Sequence, residues 1–244
     1  MDDIQLATTC GITTPMVGVS NYIGGEQLLS LPLFYGMGRE EAEELAASGV
    51  VFFGKVKAGF HIAEEAQECV SLTFVLSGVT NVETWLGCGG LLKETIQSPL
   101  MVQPERFFGL SQRYSRTFTA CTDCSIMKLG KNAMLGLFAK HPVCRVNMSN
   151  MLCTIAQRRE DLLVGLPGGS VGRRFSQMLS AASLAPSGHK HLDVKMVQMA
   201  EALGTSRLNV SLALNGFARL GLLRLGRGKI DVYDLQELSQ HAGE

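Results

Sequence analysis

The chain has 244 residues, 46% of them hydrophobic and 18% charged, with equal numbers of basic and acidic side chains; this suits a globular protein of one or two cores and excludes a disordered or fibrous chain. No run approaches the roughly 18 apolar residues of a membrane helix, and the start Met1-Asp2-Asp3 lacks a basic region and a compact apolar run, so neither a span nor a signal peptide is expected and the compartment expected is the cytoplasm. The zero net charge conceals an asymmetry: residues 1–140 hold 10 Lys and Arg against 14 Asp and Glu, whereas residues 170–230 hold 9 against 2. Phosphate is repelled by the first stretch and attracted by the second, which fits a sensor joined to a nucleic-acid reader.

Residues 1–26, rich in Thr and Gly, form an arm without a clear periodic signal. Helical pieces are expected over 26–33 and 40–47. From Val50 the pattern changes to short β runs punctuated by glycine, clearest over 50–53, 69–76 and 117–129, and many short strands with glycine turns predict an antiparallel barrel or jelly roll over residues 27–140. Seven cysteines, an odd number, argue for reduced thiols and against a disulfide framework. Cys121 and Cys124 form the one close pair; on a strand over 117–129 they point to opposite faces, so neither a chelate nor an iron-sulfur cluster is expected and no metal site is predicted.

Pro142 opens a helix expected to reach about Val164. Met148, Leu152, Ile155 and Leu162 recur along it at spacings near the a/d pattern of a short coiled coil, which makes residues 141–165 a dimerisation helix; the alternative for this stripe is packing on its own sensor domain. Gly165-Leu166-Pro167-Gly168-Gly169 then provides a hinge, Ser170 caps a helix reaching about Ala182, and Pro186-Ser187-Gly188-His189-Lys190 links it to the last module.

In residues 166–244 the decisive pattern is helix, tight turn, helix and short basic hairpin. The first helix carries Val197, Ala200 and Leu203 on one face; Gly204-Thr205 breaks it; Ser206, or alternatively Thr205, caps the next. Stepping about 100° per residue, Val210, Ala213, Leu214, Phe217 and Leu220 share one side of that second helix. Leu208, Ser211, Leu212, Asn215 and Arg219 lie opposite, flanked by Arg207 and Asn209. Against DNA, the two outer leucines would pack on thymine methyl groups beside hydrogen-bonding Arg207, Ser211 and Asn215; otherwise another protein surface covers them. Residues 222–225 and 230–233 pair across Gly226-Arg227-Gly228-Lys229 as a wing, with Arg224, Arg227 and Lys229 suited to phosphate. Asp234 with Glu237 reads as a capping box for a last helix. The candidate DNA-contacting set is therefore Ser206, Arg207, Leu208, Asn209, Ser211, Leu212, Asn215, Arg224, Arg227 and Lys229.

The run Met199-Ala200-Glu201-Ala202-Leu203-Gly204-Thr205-Ser206-Arg207, continuing to Leu220-Gly221-Leu222-Leu223, resembles the DNA-binding end of the Crp/Fnr family of bacterial transcription regulators. By that resemblance Arg207 reads a guanine. The family's best-known members carry Glu directly after that Arg and a second Arg four residues later; Leu208 and Leu212 stand here, which implies a different operator. The front half resembles the family's cyclic-nucleotide-binding-like sensor more loosely, at Pro32-Leu33-Phe34, Lys57-Ala58-Gly59, Phe74-Val75-Leu76-Ser77-Gly78 and Phe108-Gly109-Leu110. The family's ribose-binding Glu is replaced by Leu110, and the spacer to Arg116-Thr117 is too short for the phosphate cassette, so cyclic AMP is disfavoured.

Phe108, Gly109, Leu110, Arg116 and Thr117 remain the candidate effector residues, with Arg116 either an anion ligand or an exposed strand arginine. Met101, Phe107, Phe108, Leu110 and Trp85 either line an apolar pocket suited to haem or another hydrophobic effector, or are plain core. His61 and His141 are either haem ligands or ordinary histidines. The resemblance implies an α+β regulator: a jelly-roll sensor, a central dimer helix and a winged helix-turn-helix, acting as a homodimer on near-palindromic double-stranded DNA, with a small-molecule effector and RNA polymerase as further partners and no membrane. The alternatives are a haem, redox or nitrosative-stress sensor of the same fold, and a ligand-binding protein using its winged domain for protein contacts. With no nucleophile-base set, Walker-type loop or metal-ligand set, an enzyme is not expected.

Overall fold

The computed structural model describes residues 25–164 and 169–242. The expected arm, apart from residues 25 and 26, and residues 165–168 of the expected hinge lie outside the described residues. Two compact units divide the chain: Met1–Asn81 with Ile96–Ile155, and Val82–Thr95 with Ala156–Glu244. No helix among the described residues is long and apolar enough to cross a membrane.

The first unit begins with α1 (Gly25–Leu29), a 3-10 turn at Pro32–Phe34 and α2 (Arg39–Ala47). The strands before α3 are β1 (Val51–Val56), β2 (His61–Ala63), β3 (Ser71–Ser77), β4 (Val79–Trp85), β5 (Leu91–Gln97), β6 (Leu100–Val102), β7 (Thr117–Ala120) and β8 (Cys124–Gly130); β4 from Val82 and β5 up to Thr95 belong to the second unit. They are followed by α3 (Lys131–Lys140) and α4 (Pro142–Val164). One sheet runs β1-β8-β3-β6, every pair in it antiparallel, while β2 pairs antiparallel with β7. Strand β3 is buried from Ser71 through Val75, and Phe34, Leu72, Phe74, Phe118 and Ile126 are almost wholly excluded from water. Each such side chain contributes about 1.5–3 kcal/mol of transfer free energy, and because Phe74 and Ile126 lie on opposite faces of the sheet, both faces are held by burial.

The single strand expected over 117–129 is corrected to two. The chain turns between β7 and β8 because side chains there bond to neighbouring backbone: Asp123 accepts the Ala58 N–H at 3.0 Å and the Lys57 ammonium at 2.8 Å, and Thr122 Oγ1 accepts the Val79 N–H. A strand pattern cannot reveal such long-range partners. Cys121 is exposed and Cys124 buried, on either side of this turn.

The second unit contains α5 (Val171–Ala182), β9 (Lys190–Asp193), α6 (Met196–Ala202), α7 (Arg207–Arg219), β10 (Leu223–Gly226), β11 (Lys229–Val232) and α8 (Leu235–Ala242). Ser170 caps α5 by accepting the Arg173 N–H. Within this unit the strand order is β10-β11-β9-β5-β4, and strands on both sides of β9 complete its hydrogen bonding. Phe175, Leu179, Leu192, Met199, Val210 and Leu214 form the centre of the core. Two inward assignments are corrected: Val197 is 52% exposed while Met199 takes the inner place, and Leu220 is 64% exposed. Leu220 ends α7, where the chain turns into Gly221 and the helical period no longer fixes a side chain's direction. Strand β9 lies in and after the segment expected to be a linker.

Candidate nucleic-acid interface

Helix α7 buries Val210, Leu214 and Phe217 and turns the opposite face to solvent. Its start is set by Ser206, whose Oγ accepts the Asn209 N–H at 3.2 Å, one of the donors a helix N-terminus leaves without an internal partner. Thr205 instead accepts from the Asn209 side-chain amide. Arg207, Leu208, Asn209, Leu212 and Asn215 are exposed and Ser211 is half-buried; Leu208 and Leu212 are 67% and 59% accessible. Asn215 Nδ2 donates to the Ser211 carbonyl and Oγ, which orients that amide along the helix face. The arrangement offers one guanidinium at the first helical residue, two apolar contacts one turn apart and adaptable amide and hydroxyl groups, a set able to meet base edges and thymine methyls in a major groove.

The wing closes through Gly226 opposite Lys229, a two-residue loop in which Gly228 takes φ +72, the left-handed conformation such hairpins require. Arg227 and Lys229 are exposed at its tip. Arg224 lies across the hairpin from Asp231, with Nη2 at 3.2 Å from Oδ2. Asp231 also accepts from His191 at 2.6 Å, and this bond, aided by Arg224 and opposed by partial burial, holds its carboxyl below the usual carboxylate range. Arg224 therefore has an acidic neighbour that a phosphate must compete with.

The candidate effector residues are dispersed. Phe107 is fully buried and meets Phe108 edge-on at 4.6 Å; Phe108 is 41% exposed and Leu110 stands wholly in solvent. Trp85 is 58% exposed, so neither Trp85 nor Leu110 is a core side chain. Arg116 is only 6% exposed, which overturns the reading of an exposed strand arginine. Thr117 Oγ1 accepts the Glu65 N–H, and Gly109 follows the short turn at Pro104–Arg106.

A cavity of about 560 Å³ lies instead in the first unit, lined by α2 residues including Glu41 and Glu44, by Val50, and by α3 residues including Ala133 and Leu137, with His141 beside them. His141 is buried with Nδ1 3.4 Å from Glu41, whereas His61 is exposed and bonded to Thr119. His141 lines this cavity and His61 does not, and none of Met101, Phe107, Phe108, Leu110 and Trp85 is in its wall.

Along α4, Met148 is 3% exposed within the single chain, in keeping with packing on its own unit. Leu152 and Ile155 are half-buried. The side chain of Leu162 lies outside the described residues.

Residues 171–241 match the family model of the Crp-like helix-turn-helix domain. That part of the chain is similar to a Crp-like helix-turn-helix domain and is called the Crp-like domain below. Among solved structures, a Crp/Fnr-family transcriptional regulator from Eubacterium rectale has 18% identity and a TM-score of 0.52 over 88% of this chain and 99% of that one, a similarity of fold. The catabolite activator protein of Thermus thermophilus has 22% identity and a TM-score of 0.49 over 87% and 100% of the two chains. The sensor domain of the regulator DNR from Pseudomonas aeruginosa has 17% identity and a TM-score of 0.47, over 56% and 90%. None of the curated proteins compared matches the chain in sequence.

The Crp-like domain includes residues that sequence reasoning missed. Leu86 and Leu92, from the β4–β5 hairpin, belong to its core, and Glu94 of β5 meets Lys190 of β9 at 2.8 Å with both side chains almost wholly buried. The alternation Leu92, Glu94 on one strand and Lys190, Leu192 on the other is a visible two-residue period, but nothing local states that a strand near residue 92 joins one near 192.

Proposed function

We propose that the chain is a Crp/Fnr-type transcription regulator that binds DNA sequence-specifically as a homodimer. The observation that carries this reading is the exposed face of α7, which starts at the Ser206 cap with Arg207 and continues through Leu208, Ser211, Leu212 and Asn215. It is set in a Crp-like domain whose wing presents Arg227 and Lys229. Each α7 enters a major groove, and two copies a helical turn apart read a near-palindromic site. Arg207 reads a base edge and the wing holds phosphate. Residues 27–140 serve as the effector domain and 141–165 as the dimer helix, with residues 165–169 as the hinge through which an effector other than cyclic AMP shifts the balance between binding-competent and other states. RNA polymerase is the downstream partner.

Selection of a binding site from randomised duplexes, followed by titration at several salt concentrations, tests this reading. Arg207→Ala costs about 1–3 kcal/mol and relaxes preference at one base position, while Lys229→Ala weakens all duplexes alike and lowers the salt slope by about one. Equal losses on selected and scrambled duplexes for Arg207→Ala would remove its assigned role, and failure to enrich any sequence would remove the function.

A further inference from the structure

The tip of the β4–β5 hairpin is built into the Crp-like domain by three separate kinds of contact. Strand β5 pairs antiparallel with β9, Leu91 to Asp193 through Glu94 to Lys190. Leu86 and Leu92 enter the domain's core, with Cys88 packed against it. The turn lies so close to the domain that a Cβ on Gly90 would meet Val194 Cγ2 at 2.8 Å. Glu94 then draws in the segment before β9: its carboxylate accepts the N–H groups of Leu184 and Ala185 at 2.8 and 3.2 Å and the Lys190 ammonium at 2.8 Å. Lys190 also donates to the Ser187 carbonyl, and Arg158 donates to the Leu184 and Ser180 carbonyls. On the other face of the strands, Lys93 bridges Glu83 and Asp193, and Asp193 meets His191, which continues to Asp231 and Arg224.

A buried ion pair is weak evidence for stability, because desolvation offsets much of its attraction, but removing one partner strands the other charge. Here each charge has additional hydrogen-bond partners, and those partners are the backbone of the segment leading into β9. The pair therefore specifies one position of that segment. Any other placement separates the Glu94 carboxylate and the Lys190 ammonium in a dry site and takes the acceptor away from two half-buried amides.

We propose that residues 82–95 are a positioning element for DNA recognition: the hairpin tip closes the sheet and core of the Crp-like domain, and Glu94 with Lys190 pins the segment 183–190 from which β9, α6 and α7 continue. Displacing the tip changes DNA affinity without altering any residue of α7 or the wing. Only this last step rests on the function proposed above; the docking of the hairpin stands apart from it.

Hydrogen exchange on the full-length protein, without DNA, tests the docking. In the wild type, amides of β5 and β9 exchange as slowly as those of β11. Glu94→Gln speeds both on the order of tenfold or more while α7 keeps its protection. Gly90→Val, which drives the turn off Val194 and leaves the pair intact, does the same and serves if Glu94→Gln does not fold. Glu94→Gln combined with Lys190→Met restores protection, since no charge is then stranded. On a selected DNA site, both single variants bind more weakly with an unchanged salt slope, because the phosphate contacts remain.

Exchange of wild-type β5 at the rate of an exposed hairpin overturns the proposal, as does slow exchange that neither single variant alters. Variants that lose hairpin protection and keep full DNA affinity overturn the positioning role. If the wild type binds no DNA, the function proposed above fails, and the positioning role with it, while the exchange data still decide the docking.

Discussion

Single side chains set where the elements of the Crp-like domain begin. Asp234 Oδ1 accepts the N–H groups of Gln236 and Glu237, and Oδ2 accepts that of Gly188, so one carboxylate caps α8 and ties it to the approach to β9. The Glu237 N–H, with those of Gly188 and Gln236, holds this carboxyl below the usual carboxylate range against a small burial penalty. A carboxyl depressed in the folded state adds stability above its unfolded value of about 3.9, and that stability is lost as pH falls through the lower folded value. Asp234→Ala is expected to cost about 1 kcal/mol at neutral pH and to flatten the decline in stability below pH ~4. Urea unfolding followed from pH 3 to 7 measures both, and an unchanged acid limb would exclude Asp234 from it. The same local rule made the Ser206 and Ser170 caps readable in advance, because a cap depends on residues three positions away and on little else.

At the scale of elements, close approach decides what the helical period leaves open. Gly172 in α5 faces Phe217 of α7 so closely that a Cβ would lie 2.7 Å from Cζ of the ring. Gly172→Ala gains helix propensity of about 0.5–1 kcal/mol, but forcing the ring aside in a filled core costs about 1–3 kcal/mol, so the variant is expected to melt lower. Adding Phe217→Leu should recover part of the loss; calorimetry of the single and double variants shows whether it does. The half-buried Leu152 and Ile155 of α4 carry the dimer proposal at this scale. Leu152→Glu with Ile155→Glu should shift the species in sedimentation equilibrium from twice the 26.3 kDa chain mass to the chain mass and reduce DNA affinity, with far-ultraviolet circular dichroism preserved. A wild-type monomer would remove the proposal.

Over the whole molecule, charge and fold follow different divisions. The acidic front and basic rear stretches are properties of composition, and the basic excess predicts DNA affinity that falls steeply with salt. The antiparallel sheet of the first unit, the helix from Pro142, the cap at Ser206 and the two faces of α7 were also legible in sequence. Each is signalled by a period or a hydrogen bond spanning a few residues, although the sheet itself forms only when its distant strands meet. What only the tertiary structure decided has the opposite character. The break between β7 and β8 depends on Lys57, Ala58 and Val79; the burial of Arg116 and the exposure of Leu110 and Trp85 depend on which surfaces the neighbouring strands cover. Strand β9 exists because β5 and β11 flank it. Glu94 and Lys190 stand 96 positions apart, and two opposite charges become a pin only when folding excludes water from both.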